Sequence, residues 1–158
     1  MRVRNPQRGM VAVEFALLLV PLLIILAGIT EFGRAMYYYN TVAKAARDAT
    51  RLMSTQAPSD PDYATLWSNA KCNVVYGNPG CTGDALIPGL TQAMVSLCDP
   101  VACPATHANV PMGTGVANLV TVTVGGGGNP YAFQSLAAFV PALSFNFAPI
   151  SVTMRQVI

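Results

Sequence analysis

Charge is what this chain has least of. Only 10% of its 158 residues are Asp, Glu, Lys or Arg, against about 25% in an ordinary globular domain. From Ala85 to Ile158 the formal charges are Asp99 and Arg155, and between Arg8 and Glu31 there is Glu14 alone. This composition excludes a typical cytosolic surface and the basic patch that nucleic acid requires. Histidine is almost missing too. A serine or cysteine nucleophile would depend on His107, the single one, which lies in a Pro-rich loop and reads as a surface residue. Asp60, Asp62, Asp84 and Asp99 stand beside Pro or Gly or next to such turns, where Asp serves turns and caps rather than paired acid–base work. Gly125–Gly128 lacks the Lys and Ser of a phosphate-binding loop and opens no helix, so it reads as a turn. No catalytic residue, cofactor or bound metal is expected.

What the chain does have is one long apolar run. Met10 to Ile29 is about the length a helix needs to cross a bilayer core of roughly 30 Å. Eleven of the residues from Phe15 to Ile29 are Leu, Ile, Val or Phe, contributing roughly −3 to −7 kcal/mol to insertion. Glu14 sits near one end, where a carboxylate costs less than its central value of about 3 kcal/mol. Insertion wins. Arg2, Arg4 and Arg8 precede the run, and basic flanks stay on the cytoplasmic side. The rest of the chain is then sent into the periplasm. An ordinary secretory signal, cut near Leu26-Ala27-Gly28, is the competing reading. Against it stand Glu14 and a helical pattern that continues past Ala27.

Pro21 predicts a bend within that helix. Beyond Gly33 the pattern turns amphipathic. Phe32, Ala35, Met36, Tyr39, Val42, Ala43, Ala46, Ala49 and Met53 recur at three and four, with Arg34, Thr41, Lys44, Asp48 and Arg51 opposite. Phe32, Met36, Tyr39, Ala43 and Ala46 are therefore the expected packing residues of a continuous rod ending near Met53. Tyr37-Tyr38-Tyr39 reads either as an interfacial aromatic belt or as one buried and two exposed rings.

The remaining chain, residues 54–158, predicts a small head. Asp60-Pro61 predicts a second helix to about Ala70, and Gly89–Cys98 a short helix carrying Leu90, Met94 and Leu97. Asp99–Gly115 reads as loop. Val120, Val122 and Val124 alternate with threonines, and Ile150, Val152, Met154 and Ile158 alternate with Ser151, Thr153 and Arg155: two strands able to pair. Tyr131–Phe147 is apolar but too broken at Pro141 to span a membrane. Either the two strands fold on the amphipathic half of the long helix with neutral Ser, Thr and Asn outside, or Phe133, Leu136, Phe139, Val140, Leu143 and Phe145 leave an apolar patch that docks onto another protein. Cys72, Cys81, Cys98 and Cys103 form an even set in an oxidising compartment. Three pairings are open, and turns at Asn78-Pro79-Gly80 and Asp99-Pro100 favour Cys72–Cys81 and Cys98–Cys103. A metal site using His107 fits no zinc spacing well. The fold class is α+β: a long N-terminal transmembrane-to-periplasmic helix with a disulfide-bearing head containing an antiparallel sheet.

The order of the opening parts is specific. Gly9-Met10-Val11-Ala12-Val13-Glu14-Phe15, the apolar run with Pro21, then Gly28-Ile29-Thr30-Glu31-Phe32-Gly33-Arg34 and Ala45-Ala46-Arg47-Asp48-Ala49-Thr50-Arg51 resemble the TadE-like family, minor pseudopilins of the tight-adherence (Flp) pilus system. The resemblance covers roughly residues 8–53. It implies a leader at residues 1–9, a transmembrane helix at 10–29 and its periplasmic continuation at 30–53. It also implies cutting between Gly9 and Met10 by a prepilin peptidase, leaving six basic and seven acidic side chains. Glu14 would meet the amino terminus of a neighbouring subunit during assembly. Implied partners are other pseudopilins, the major Flp pilin, the inner-membrane Tad platform and the lipid bilayer. The implied function is a minor pilin of the inner membrane or extracellular pilus, serving assembly, adhesion and biofilm formation. The alternative is a membrane-tethered assembly factor that never enters the fibre.

Overall fold

A computed structural model describes residues 7–113, 115–136 and 144–157. Arg2, Arg4, Phe139, Val140, Pro141, Leu143 and Ile158 lie outside the described residues. The class is α+β, with antiparallel strands and two disulfides.

Helix α1 runs Gln7–Ser54, 48 residues with Pro21 inside it, or about 72 Å at 1.5 Å per residue. Its two halves live differently. From Gly9 to Leu26 every residue is exposed, whereas Ala35, Val42, Ala43, Ala46, Ala49 and Met53 are buried under the head. Small side chains there let the sheet approach closely. Thr50 is buried too, and returns its hydroxyl to the Ala46 carbonyl at 2.7 Å.

The buried face is not the whole expected stripe. Within the chain Phe32 stays 68% exposed and Met36 46%, while Tyr39 meets Phe147 only edge-on. Ala35 is buried as expected, but Glu31 and Tyr38 face the head in place of Phe32 and Tyr39, each one position, about 100°, around the helix. Of the three tyrosines, Tyr38 packs on Phe133 and Tyr37 points out.

Helix α2, Tyr63–Tyr76, starts later and ends later than expected. Asp60 spends its carboxylate on a turn, accepting the Asp62 N–H at 2.9 Å, and so does not cap the helix. Burial of Ala70, Cys72, Val74 and Val75 carries α2 past Cys72 to Gly77. Gly77 takes φ +74°, its N–H bonds the Asn73 carbonyl, and an added Cβ would meet Leu86 at 3.0 Å. Only glycine closes this helix without strain.

The short helix expected over Gly89–Cys98 is corrected by the structure. A single 3-10 turn, Gln92–Met94, leads into strand β1, Val95–Cys98. Val95 and Leu97 alternate with Ser96, and pairing to a neighbouring strand outweighs a weak helical pattern. The expected loop after it holds helix α3, Pro104–His107, and a small hairpin of β2, Val110–Met112, with β3, Gly115–Ala117. Strand β4, Leu119–Val124, is the centre of the main sheet. Next come β5, Ala132–Phe133, and β6, Phe145–Asn146, which pair with each other. Finally β7, Ile150–Arg155, pairs with β4 as its alternation predicts.

The sheet order is β1-β4-β7, all antiparallel. Val95, Val124 and Ile150 align across it, as do Leu97, Val122 and Val152. These form the inner face against α1 and α2. The outer face carries hydroxyls: Thr121 bonds Thr153 at 2.7 Å and Thr123 bonds Ser151 at 2.9 Å. Such pairs satisfy polar groups without charge, which is how a charge-poor sheet faces water. The chain end is tied back by the Val157 N–H to the Ser54 carbonyl, 2.9 Å.

Met53 is fully buried and Met36 is not. Met53→Ala is expected to destabilise the head by about 2–5 kcal/mol, and Met36→Ala by less than about 0.5 kcal/mol. Denaturant titration of the detergent-solubilised chain, followed by Trp67 fluorescence, checks this.

Candidate functional site

Two regions of α1 carry polar groups that packing alone does not require. The first is its N-terminal end. Gly9 and Met10 lie in the helix, and nothing stands within 4 Å of where a Cβ on Gly9 would be. Glu14 comes four residues after Met10, one turn on and on the same face. Its carboxylate is exposed amid Val11, Val13, Phe15, Leu17 and Leu18, and no other described side chain pairs with it. A lone carboxylate within an apolar cylinder calls for a partner when water is removed. By length and composition α1 can cross a membrane, and none of its most apolar stretch is buried by the chain itself. The chain is thus compatible with a single-pass membrane protein.

The second region is the waist, where the apolar run meets the head. Glu31 is 7% exposed. Arg34 pairs with its Oε2 and also donates to the Gln134 carbonyl at 2.6 Å. The Leu136 N–H donates to Glu31 Oε1 at 3.0 Å. The Arg34 guanidinium lies over Phe133, 4.7 Å from the ring centroid, and near Tyr38 at 5.5 Å, contacts worth about 0.5–2 kcal/mol. Phe133, Phe145, Phe147 and Tyr131 stack around this point, and the Tyr131 hydroxyl donates to the Pro88 carbonyl at 2.9 Å. Two charged residues of α1 thereby clasp the β5–β6 hairpin. The sequence reading placed Arg34 on the solvent side and assigned Glu31 no role. Their i,i+3 spacing at the end of an uncharged run was the available signal.

The cysteines pair locally, Cys72–Cys81 and Cys98–Cys103, as the turns favoured. Each closes a loop short enough to stabilise by roughly 2–3 kcal/mol on the chain-entropy account. Cys98, Cys103 and His107 have ligand atoms within 4.8 Å of one another. Cysteine binds zinc as a thiolate, and both sulfurs are in the disulfide. His107 is half-buried rather than a free surface residue: its ring bonds Thr121 at 2.8 Å and Thr106 at 2.7 Å. Asp99, expected as a turn residue, is also buried. It accepts the N–H groups of Val101 and Ala102 and the Tyr63 hydroxyl at 2.8 Å. Burial and then the bond to Asp99 push the Tyr63 hydroxyl pKa well up. These groups fix the far end of the head.

Residues 9–51 match the family model described as TadE-like protein. The match starts at Gly9, takes in Glu14, Glu31 and Arg34, and ends three residues short of the end of α1. The TadE-like resemblance read from the opening motifs is shown over this segment, 43 of the chain's 158 residues. No curated protein and no solved structure matches the chain significantly.

The waist contacts predict a local effect. Glu31→Ala removes the acceptor of the Leu136 N–H and the partner of Arg34. Amide hydrogen exchange at Leu136 is expected to accelerate, while the amides of β4 keep their protection.

Proposed function

We propose that the chain is a minor pilin, or pseudopilin, of a tight-adherence (Flp) pilus. It is inserted by the apolar half of α1 with its N-terminus cytoplasmic and its head periplasmic. A prepilin peptidase cuts it between Gly9 and Met10. The observation that carries this reading is the family match over residues 9–51, whose first part, Gly9 to Leu26, is the stretch of helix the head leaves bare. A helix with so much exposed apolar surface needs an environment, and bilayer and pilin bundle are the two that suit it. In the bilayer Leu, Ile and Val meet lipid. In a bundle they meet the helices of other pseudopilins and of the major pilin, assembled on the inner-membrane Tad platform.

Glu14 then has a defined task. Cutting creates an ammonium on Met10, and Glu14 one turn on supplies the charge that a neighbouring subunit's ammonium needs. A charge buried without a partner is strongly destabilising, by about 3–5 kcal/mol, so mis-registered subunits are disfavoured. The reading assigns no catalysis. Adhesion and biofilm formation follow from pilus assembly. Recovery of the protein in sheared pili, rather than in inner membrane alone, separates a fibre component from a tethered assembly factor.

Two results test this. N-terminal sequencing of mature protein is expected to begin at Met10, and Gly9→Leu to leave an uncut, membrane-inserted precursor. A start near Gly28 would refute the pilin reading. Glu14→Ala is expected to insert and be cut normally but to reduce piliation sharply, scored by counting fibres on cells. Normal piliation would remove the role assigned to Glu14.

A further inference from the structure

The contacts along the waist of α1 set a depth as well as a fold. Phe133 packs on Tyr38, the Gln134 carbonyl accepts from Arg34, and the Leu136 N–H donates to Glu31. As the chain leaves β5 it therefore descends α1 toward the apolar run, by about 10 Å from Tyr38 to Glu31. Glu31 is two residues past Ile29, roughly 3 Å of rise, and the bilayer's polar interface is about 5–7 Å thick on each side. Leu136 is 79% exposed and Phe32, on the helix beside Glu31, is 68% exposed. Large apolar side chains at that level gain by entering the interface, in proportion to the apolar area removed from water.

We infer that Leu136 and Phe32 contact lipid, so that the short segment following β5, up to Leu136, is a membrane-contacting foot of the head. This rests on the reading that α1 spans a bilayer. The nearest charges are Glu31 and Arg34, which neutralise each other. The surface met is therefore the apolar part of the interface and not an anionic head group, and neutral lipid suffices. The clasp makes the foot rigid. Because the Glu31 carboxylate holds the Leu136 backbone, the head sits low on its stalk and its tilt against the membrane is limited.

The test uses the full chain in phosphatidylcholine vesicles. Trp67→Phe removes the natural tryptophan, and a single reporter is placed by Leu136→Trp, by Leu23→Trp in the apolar run, or by Val101→Trp at the far end of the head. Lipids brominated near the head-group end of the acyl chain quench tryptophans that touch them. The expected result is a loss of emission for Leu136→Trp and for Leu23→Trp, with none for Val101→Trp and no dependence on added anionic lipid. Quenching of Leu23→Trp without quenching of Leu136→Trp would overturn the foot while leaving the span intact. Blue-shifted but unquenched emission from Leu136→Trp would mean that protein, a second copy of this chain, covers the site, and would also overturn it. An unquenched Leu23→Trp would overturn the span and the foot together.

Discussion

The fold depends on one contact: the valine face of a three-stranded sheet laid on the small-residue side of α1. Val120, Val122 and Val124 point inward from the central strand, and Val42, Ala46, Ala49 and Met53 receive them. At roughly 0.8 kcal/mol per buried methylene, this layer outweighs what the disulfides and isolated ion pairs add. It also explains why Ala35, Ala43, Ala45, Ala46 and Ala49 gather in the half of α1 where the head lies. Large side chains there would hold the sheet off, and the core would contain gaps.

Everything else trims the edges of that layer. Cys72–Cys81 and Gly77 close the end of α2, while Cys98–Cys103, Asp99 and Tyr63 hold the loop beyond β1. The outer sheet face solves a different problem. With few charges to offer, it satisfies water through Thr121, Thr123, Ser151 and Thr153, and it anchors α3 through His107.

The waist joins these two worlds. Above it α1 is covered by the head, and below it α1 is bare. Glu31 and Arg34 sit at the boundary, where a single charge would be costly on either side. Paired with each other, and bonded to the Gln134 carbonyl and the Leu136 N–H, they become part of the packing. An aromatic cluster of Tyr38, Phe133, Phe145 and Phe147 shields the pair.

The apolar run, the motifs around Gly9 and Glu14, the helix to about Met53 and strands β4 and β7 were legible in the sequence because each is a strong local signal. Length, periodicity and turn chemistry decide them without reference to distant residues. The local disulfides belong with them, since short loops with Pro and Gly bring their ends together unaided. Tertiary structure decided the rest. Strand β1 exists because β4 offers an edge to Val95 and Leu97, and α2 runs to Tyr76 because Val74 and Val75 find a core. The face of α1 that is buried rotates from Phe32 and Met36 to Glu31 and Arg34 at the waist because the β5–β6 hairpin, a hundred residues away in sequence, brings backbone partners for those charges. Local patterns report which side chains prefer burial. Which of them are buried depends on what arrives to cover them.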